Sequence, residues 1–226
     1  MLLRSFKRKP KYDTNPRFKT IEKNNKKEYI SLINPDKFKN VRFTYVRQKS
    51  QKGLGDAISH ASHLINDEPF AILLADDLII SDKSCLQQLA EIYYENHASV
   101  LGVNRVQKEN ISKYGVIEPN VIDGNLFIKN IIEKPSPDKA PSDLAVVGRY
   151  IFDSEIFHYL EQVTEDGSNE IQLTDAIQLM LSDHKISACE YHGNKFDCGS
   201  KSGYVEATVF MGLKDQDIAK ALKKYF

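Results

Sequence analysis

Two patterns of apolar and polar positions alternate through the middle of the chain. After Gly53-Leu54-Gly55, apolar side chains recur at helical spacing as far as Ile65, which predicts an amphipathic helix. The apolar runs at 70–75 and 98–103 have the length of buried strands, and the segment between them predicts another helix, capped by Ser81 or Asp82. This order of elements is typical of a parallel sheet with right-handed crossovers.

The second half of the chain predicts shorter elements. Two short strands, 114–118 and 126–132, flank Asp123-Gly124, which is typical of a hairpin turn. The remaining predicted elements are a strand at 144–152, helices near 154–162 and 170–182, a strand at 186–191 and helices after Gly199.

The leading part of the chain is polar and basic. A helix is predicted near 17–33 and a strand at 42–46, and Lys and Arg are concentrated in residues 1–52. Such a segment indicates either an anionic partner or a solvated helix face. With 226 residues, 41% of them hydrophobic, the chain is long enough for one α/β domain.

Composition excludes several classes of protein. The 31 basic and 31 acidic side chains balance, and no apolar run approaches the ~20 residues of a membrane span. The first eight residues do not form a secretory signal. Cys85, Cys189 and Cys198 lack the spacing of a zinc site or a disulfide framework. We therefore expect a cytoplasmic protein without nucleic-acid or membrane partners.

Asp76 and Asp77 end the apolar run at 70–75, so they lie at the carboxyl edge of the predicted sheet, where α/β proteins bind ligands. Adjacent carboxylates favour a hard divalent cation such as Mg²⁺. A turn followed by a helix cap explains the same residues. Asp197 also precedes a predicted helix, so it is either a second ligand of that cation or a helix cap.

Two further segments combine polar groups with backbone constraints. Gln48 precedes Gly53 at a helix start; its amide suits the edge of a nucleobase, and glycine allows close approach of a ring. Glu133-Lys134-Pro135 follows a strand, and proline predicts an extended Lys134. A carboxylate suits sugar hydroxyls and an ammonium suits phosphate. An ordinary turn and two solvated charges explain these segments equally well.

In order along the chain, these segments resemble the bacterial UTP–glucose-1-phosphate uridylyltransferases of the sugar-nucleotidyltransferase superfamily. The similarity runs from about residue 12 to about residue 213, and the runs Glu170–Asp175 and Asp197–Lys201 look like the uridylyl-glucose branch in particular. The matching segments are 46–55, 73–78, 113–117, 132–135, 144–150, 170–176 and 196–201.

The resemblance implies a role for each matching residue. Gln48 and Gly53 are implied to read uracil, and Asp76 and Asp197 to bind Mg²⁺ as catalytic residues, with Asp77 beside them. The residues implied to bind glucose-1-phosphate are Gly115, Glu133, Lys134 and Val147. Of these, Lys134 is also implied to be catalytic and to contact the sugar phosphate.

The resemblance also implies a fold and its division. We expect one Rossmann-like nucleotidyltransferase domain over 1–226, with a mixed, mostly parallel sheet flanked by helices. A lead-in occupies 1–40, a nucleotide-binding half 41–110, a sugar-binding half 111–198, and C-terminal helices the rest. Members of the family commonly form oligomers.

One family motif has no counterpart here. No segment of residues 1–47 matches the glycine-rich loop that cradles the triphosphate, and the basic residues Lys7-Arg8-Lys9 are a poor substitute because phosphate clamps need fixed backbone donors. We therefore expect an N-terminally truncated chain, from a shortened gene, a split gene or a misplaced start.

The implied reaction is that of UTP with glucose-1-phosphate, giving UDP-glucose and pyrophosphate with Mg²⁺ as cofactor. Two alternatives stay open. The chain is a non-catalytic or split-gene fragment that keeps only the sugar pocket, completed by a separate N-terminal piece, or it is a nucleotidyltransferase for another sugar-1-phosphate.

Overall fold

A computed structural model of the chain describes residues 4–5, 41–164 and 169–225. The chain divides into two compact units, Leu2–Arg47 and Gln48–Phe226. In the first unit, β1 (Arg4–Ser5) pairs antiparallel with β2 (Val41–Arg42). The strand predicted at 42–46 is wrong beyond Arg42: Tyr45 and Val46 are exposed, so no buried face holds them. The helix predicted near 17–33 lies outside the described residues.

The second unit contains helices on a mixed sheet. Its helices are α1 (Gly53–Ser59), α2 (Cys85–Asn96), α3 (Ile156–Gln162), α4 (Leu173–Met180), α5 (Lys201–Gly212) and α6 (Gln216–Leu222), with 3₁₀ turns at Ser62–Leu64 and Lys108–Lys113. Its strands are β3 (Phe70–Leu73), β4 (Asp77–Ile80), β5 (Val100–Arg105), β6 (Gly115–Ile122), β7 (Asn125–Glu133), β8 (Leu144–Phe152), β9 (Ser187–Glu190) and β10 (Asn194–Asp197).

Six of these strands form one sheet, in the order β3-β8-β5-β9-β7-β6. The α/β fold with a mixed sheet is confirmed. However, β5 and β9 are the one parallel pair among the described strands. The expected parallel neighbours β3 and β5 do point the same way, but β8 inserts antiparallel between them. The long apolar β8 thus lies between β3 and β5, a position that the sequence pattern did not specify.

A separate antiparallel ribbon joins β4 to β10, with Asp77 opposite Asp197. Because β4 continues through Ile80, α2 begins later than predicted. Its cap is Ser84, whose Oγ accepts from the Gln87 amide, and not Ser81 or Asp82. Helix α1 is likewise shorter than predicted, since it ends at Ser59. None of the described helices has the length and apolarity to span a membrane.

The β6–β7 hairpin is confirmed. Asp123 and Gly124 both have positive φ angles, 51° and 82°, which is the conformation that two-residue hairpin turns require. The hairpin places Gly115 directly opposite Glu133 in the ladder, so two residues of the predicted sugar site become neighbours.

The core beneath α2 contains two of the three cysteines. Cys85 and Cys189 pack with Leu89, Val100 and Val147 in one buried cluster. All three cysteines are free thiols. Burial raises the pKa of Cys85 to about 11 and that of Cys189 to about 12 from an ordinary 9.0, because a thiolate loses its solvation there.

These raised pKa values predict alkaline instability. Between pH 9 and about 12 the native thiols keep protons that the unfolded chain releases, so the free energy of unfolding falls as pH rises through this range. Thermal melts at pH 8, 9.5 and 10.5 should show a falling midpoint, and Cys189→Ala should flatten the decline. An equal decline in that variant would contradict the assignment.

Candidate active site

Asp76 and Asp197 come together although they are far apart in sequence. Asp76 lies in the turn after β3, and its backbone carbonyl accepts a hydrogen bond from the Cys198 amide at 2.8 Å. Asp197 ends β10 and is not a helix cap, because Ser200 caps α5. The loop after β3 and the end of β10 are therefore hydrogen-bonded neighbours.

The two carboxylates flank Gly199. A methyl group at Gly199 would lie 3.1 Å from Asp76 Oδ2 and 3.1 Å from Asp197 Oδ1. The two oxygens are thus separated by no more than twice that distance. Asp76 is exposed and Asp197 half-buried, and neither makes an ion pair within the described residues. Two unneutralised carboxylates this close favour a cation between them.

The donor chemistry of this pair fits Mg²⁺. Mg²⁺ is bound by one or two carboxylates and completes its shell with water and substrate phosphates. No cluster of three or more His, Cys, Asp or Glu side chains suited to a metal occurs in the described part of the chain. A metal here would accordingly need oxygens from substrate or water.

Asp77 has a different environment from its neighbour. Its Oδ2 accepts from the Gly148 amide at 2.7 Å, and its Oδ1 lies 3.1 Å from Lys195 Nζ in a pair whose side chains are 14% and 13% exposed. The Arg149 guanidinium donates to the carbonyls of Leu74 and Asp77. These bonds fasten the segment that contains Asp76 to β8.

A cavity of about 170 Å³ lies beside this segment. Asp77, Gly115 and Glu133 line it together with Tyr150, whose pKa is raised by burial and by the charges of Asp77 and Glu133. The other lining residues are Leu54, Leu74, Lys113, Tyr114, Ile131, Val146, Gly148, Gln172, Leu173, Thr174 and Ile177. A small space with a few fixed polar groups suits a small polar ligand.

Glu133 has a fixed orientation in this cavity. The Thr174 hydroxyl donates to Glu133 Oε2 at 2.6 Å. A methyl group at Gly115 would lie 3.2 Å from the same oxygen, so glycine leaves room for this bond. Glu133 Oε1 lies 3.5 Å from Lys134 Nζ. The carboxylate can therefore accept from ligand hydroxyls without first reorienting.

Lys134 and Val147 differ from their predicted geometry. Lys134 is left-handed, with φ 43°, and not extended; its amide donates to the Tyr114 carbonyl at 3.0 Å while Pro135 is buried, so tertiary contacts override the local preference. The side chain of Val147 packs in the core cluster beneath α2. Val147 as a whole is only 1% exposed, and its neighbours Val146 and Gly148 line the cavity instead.

Gln48 and Gly53 form one unit at the start of α1. Gln48 Nε2 donates to the Gly53 carbonyl at 3.2 Å and to Asp56 Oδ2 at 2.6 Å. Gly53 has φ 89°, and a side chain there would lie 2.8 Å from the Ile171 carbonyl. Glycine is needed for both the conformation and the space.

Sequence reasoning missed several residues around these sites. Thr174 donates to Glu133, and Lys195 pairs with Asp77. Arg149 donates to the Leu74 carbonyl, and Asp56 accepts from the Gln48 amide. The sequence signal for Thr174 was its place in the run Glu170–Asp175, which resembles the uridylyl-glucose branch. A lysine two residues before Asp197 gave no signal by itself.

Comparisons with known proteins identify the family of this chain. The family model described as nucleotidyl transferase matches residues 13–213. A UTP–glucose-1-phosphate uridylyltransferase of Staphylococcus epidermidis is 45% identical, and the match covers 80% of this chain and 63% of the relative. The UTP–glucose-1-phosphate uridylyltransferase of Bacillus subtilis is 40% identical, and the match covers 79% of this chain and 61% of the relative. The chain thus spans less than two thirds of these curated relatives.

Solved structures give the same result. A UDP-glucose pyrophosphorylase complexed with UDP-glucose superposes with a TM-score of 0.78 at 40% identity, covering 84% of this chain and 73% of that one. A UTP-bound enzyme from Acinetobacter baumannii superposes with a TM-score of 0.80 at 30% identity, covering 95% of this chain and 75% of that one. The predicted resemblance is confirmed, and the chain belongs to the nucleotidyl transferase family.

Proposed function

We propose that the chain provides the sugar and metal sites for uridylyl transfer from UTP to glucose-1-phosphate, giving UDP-glucose and pyrophosphate. The observation that supports this most directly is the convergence of Asp76 and Asp197 on Gly199, next to a cavity lined by Glu133. We also propose that residues 41–110 form a nucleotide-binding half and residues 111–198 a sugar-binding half.

The proposed chemistry uses these residues for binding and orientation. A phosphate oxygen of glucose-1-phosphate attacks the α-phosphorus of UTP, a bond to this oxygen forms, and the bond to pyrophosphate breaks. The attacking oxygen is already anionic, so no general base is needed. Positioning and charge neutralisation account for most catalysis in phosphoryl transfer. Mg²⁺ held by Asp76 and Asp197 would supply that neutralisation.

Each remaining residue has a proposed task. Glu133, oriented by Thr174, accepts from sugar hydroxyls beside Gly115. Lys134 neutralises the sugar phosphate, and Val147, between the cavity residues Val146 and Gly148, supports the sugar site from below. Gln48 and Gly53 contact the uracil.

The location and assembly of the chain belong to the same proposal. We propose the cytoplasm, where cysteines stay reduced, since all three cysteines here are free.

We also propose a protein partner, either another copy or an N-terminal fragment. Support comes from β3, which forms the outer edge of the sheet among the described strands, and exposed edges favour pairing.

Pyrophosphate release tests the proposed reaction. Purified chain with UTP, glucose-1-phosphate and Mg²⁺ should release pyrophosphate, and Asp76→Ala should not. Asp138→Ala is a matched control, because Asp138 is exposed and its ion pair with Lys108 lies at the surface. UDP-glucose binding without turnover would favour a chain that keeps the sugar pocket alone. Turnover in Asp76→Ala, or neither turnover nor binding in folded wild type, would overturn the proposal.

A further inference from the structure

The side-chain amide of Gln48 has one chemically allowed orientation. Both of its close partners, the Gly53 carbonyl and Asp56 Oδ2, are acceptors, at 3.2 and 2.6 Å. A carbonyl and an ionised carboxylate cannot donate, so the nitrogen of the amide must face them. Both hydrogens on Nε2 are then used, and Oε1 is the atom that the amide offers to a ligand.

Asp56 itself is held in place. It lies in the first turn of α1, and its side chain is 16% exposed. His60 Nδ1 lies 2.8 Å from the Asp56 carbonyl and 3.6 Å from Oδ2. The Gly55 amide donates to the Ile171 carbonyl at 2.9 Å, and the Ile171 amide to the Lys52 carbonyl at 2.8 Å. The start of α1 is thus anchored to Ile171 immediately before Asp56.

We infer that Asp56 is a positioning residue that makes Gln48 select uracil over cytosine. Uracil has an N–H donor at N3, which matches an offered oxygen, whereas cytosine has a lone pair there. Cytosine would therefore place two acceptors against each other, which costs a hydrogen bond at this half-buried position. The selection follows from the imide N–H, so thymine would pass the same test. This inference rests on the proposed function for the base contact of Gln48.

Two variants of Asp56 separate orientation from shape. Asp56→Ala removes the acceptor, so the Gln48 amide can turn over and offer either face. Asp56→Asn keeps the shape and one acceptor oxygen. Calorimetry with UDP-glucose and CDP-glucose should give a preference for the uridine compound of about tenfold or more in wild type. The preference should fall to within about threefold in Asp56→Ala and be largely kept in Asp56→Asn.

A ligand-free measurement separates failure of this inference from failure of the proposed function. The Gln48 side-chain NH₂ protons in ¹⁵N-edited NMR spectra should show hydrogen-bonded shifts in wild type and Asp56→Asn, and lose one of them in Asp56→Ala. If wild type binds neither nucleotide sugar, the proposed function fails, but these shifts still decide whether Asp56 orients Gln48. Unchanged shifts in Asp56→Ala, or an unchanged preference for uridine, would overturn the inference.

Discussion

Replacing either Asp76 or Asp197 by asparagine is expected to lower turnover by at least about 100-fold, since neutralising phosphate charge supplies several kcal/mol in such reactions. Replacing both should lower it no further than either alone. Both carboxylates approach the same point beside Gly199, so each single variant already removes the shared ion, and groups that act as a unit are not additive. Initial rates of pyrophosphate release at several Mg²⁺ concentrations measure this.

A steric control tests the same ion without removing a charge. Gly199→Ala places a methyl group 3.1 Å from an oxygen of each carboxylate and should also abolish Mg²⁺-dependent turnover. Thermal melts should be nearly unchanged, because Gly199 is exposed. Multiplicative losses in the double asparagine variant, or full activity in Gly199→Ala, would show that the carboxylates act separately.

Sequence reasoning found the ends of elements better than the contacts between them. Asp76 was a candidate because it lies where an apolar strand pattern stops, and Asp197 because it precedes a predicted helix. The hairpin at Asp123-Gly124 was predictable because its turn residues tolerate positive φ. The long apolar pattern of β8 gave its bounds, Leu144–Phe152, yet apolarity does not specify which strands it joins.

Contacts between distant segments left no local signal. The ribbon of β4 with β10 consists of four-residue strands, too short for periodicity to reveal. The bond from Thr174 to Glu133 and the pair of Lys195 with Asp77 depend on the folded chain. The resemblance to a family indicated which carboxylates share a site, but not which neighbours hold them.

Lys195→Met is expected to cost about 3 kcal/mol of unfolding free energy, because it strands the Asp77 carboxylate without its cation in a largely buried place. Lys195 Nζ lies 3.1 Å from Asp77 Oδ1 and 4.3 Å from the centre of the Tyr114 ring. Methionine keeps most of the unbranched side chain and removes the ammonium with its charge and its N–H donors. Urea denaturation of wild type and variant measures the difference, provided that the m-value is unchanged.

Two comparisons decide whether the cost comes from the stranded charge. Lys108→Met removes a lysine from an ion pair with 67% and 91% exposed side chains and should cost less than about 1 kcal/mol. Asp77→Asn combined with Lys195→Met should be more stable than the sum of the single losses predicts, because no unpaired charge remains. Additive losses would instead assign the cost to packing. Because Asp77 faces Asp197 across the ribbon and adjoins Asp76, a charge-based cost would place an energetically important ion pair next to both proposed metal ligands.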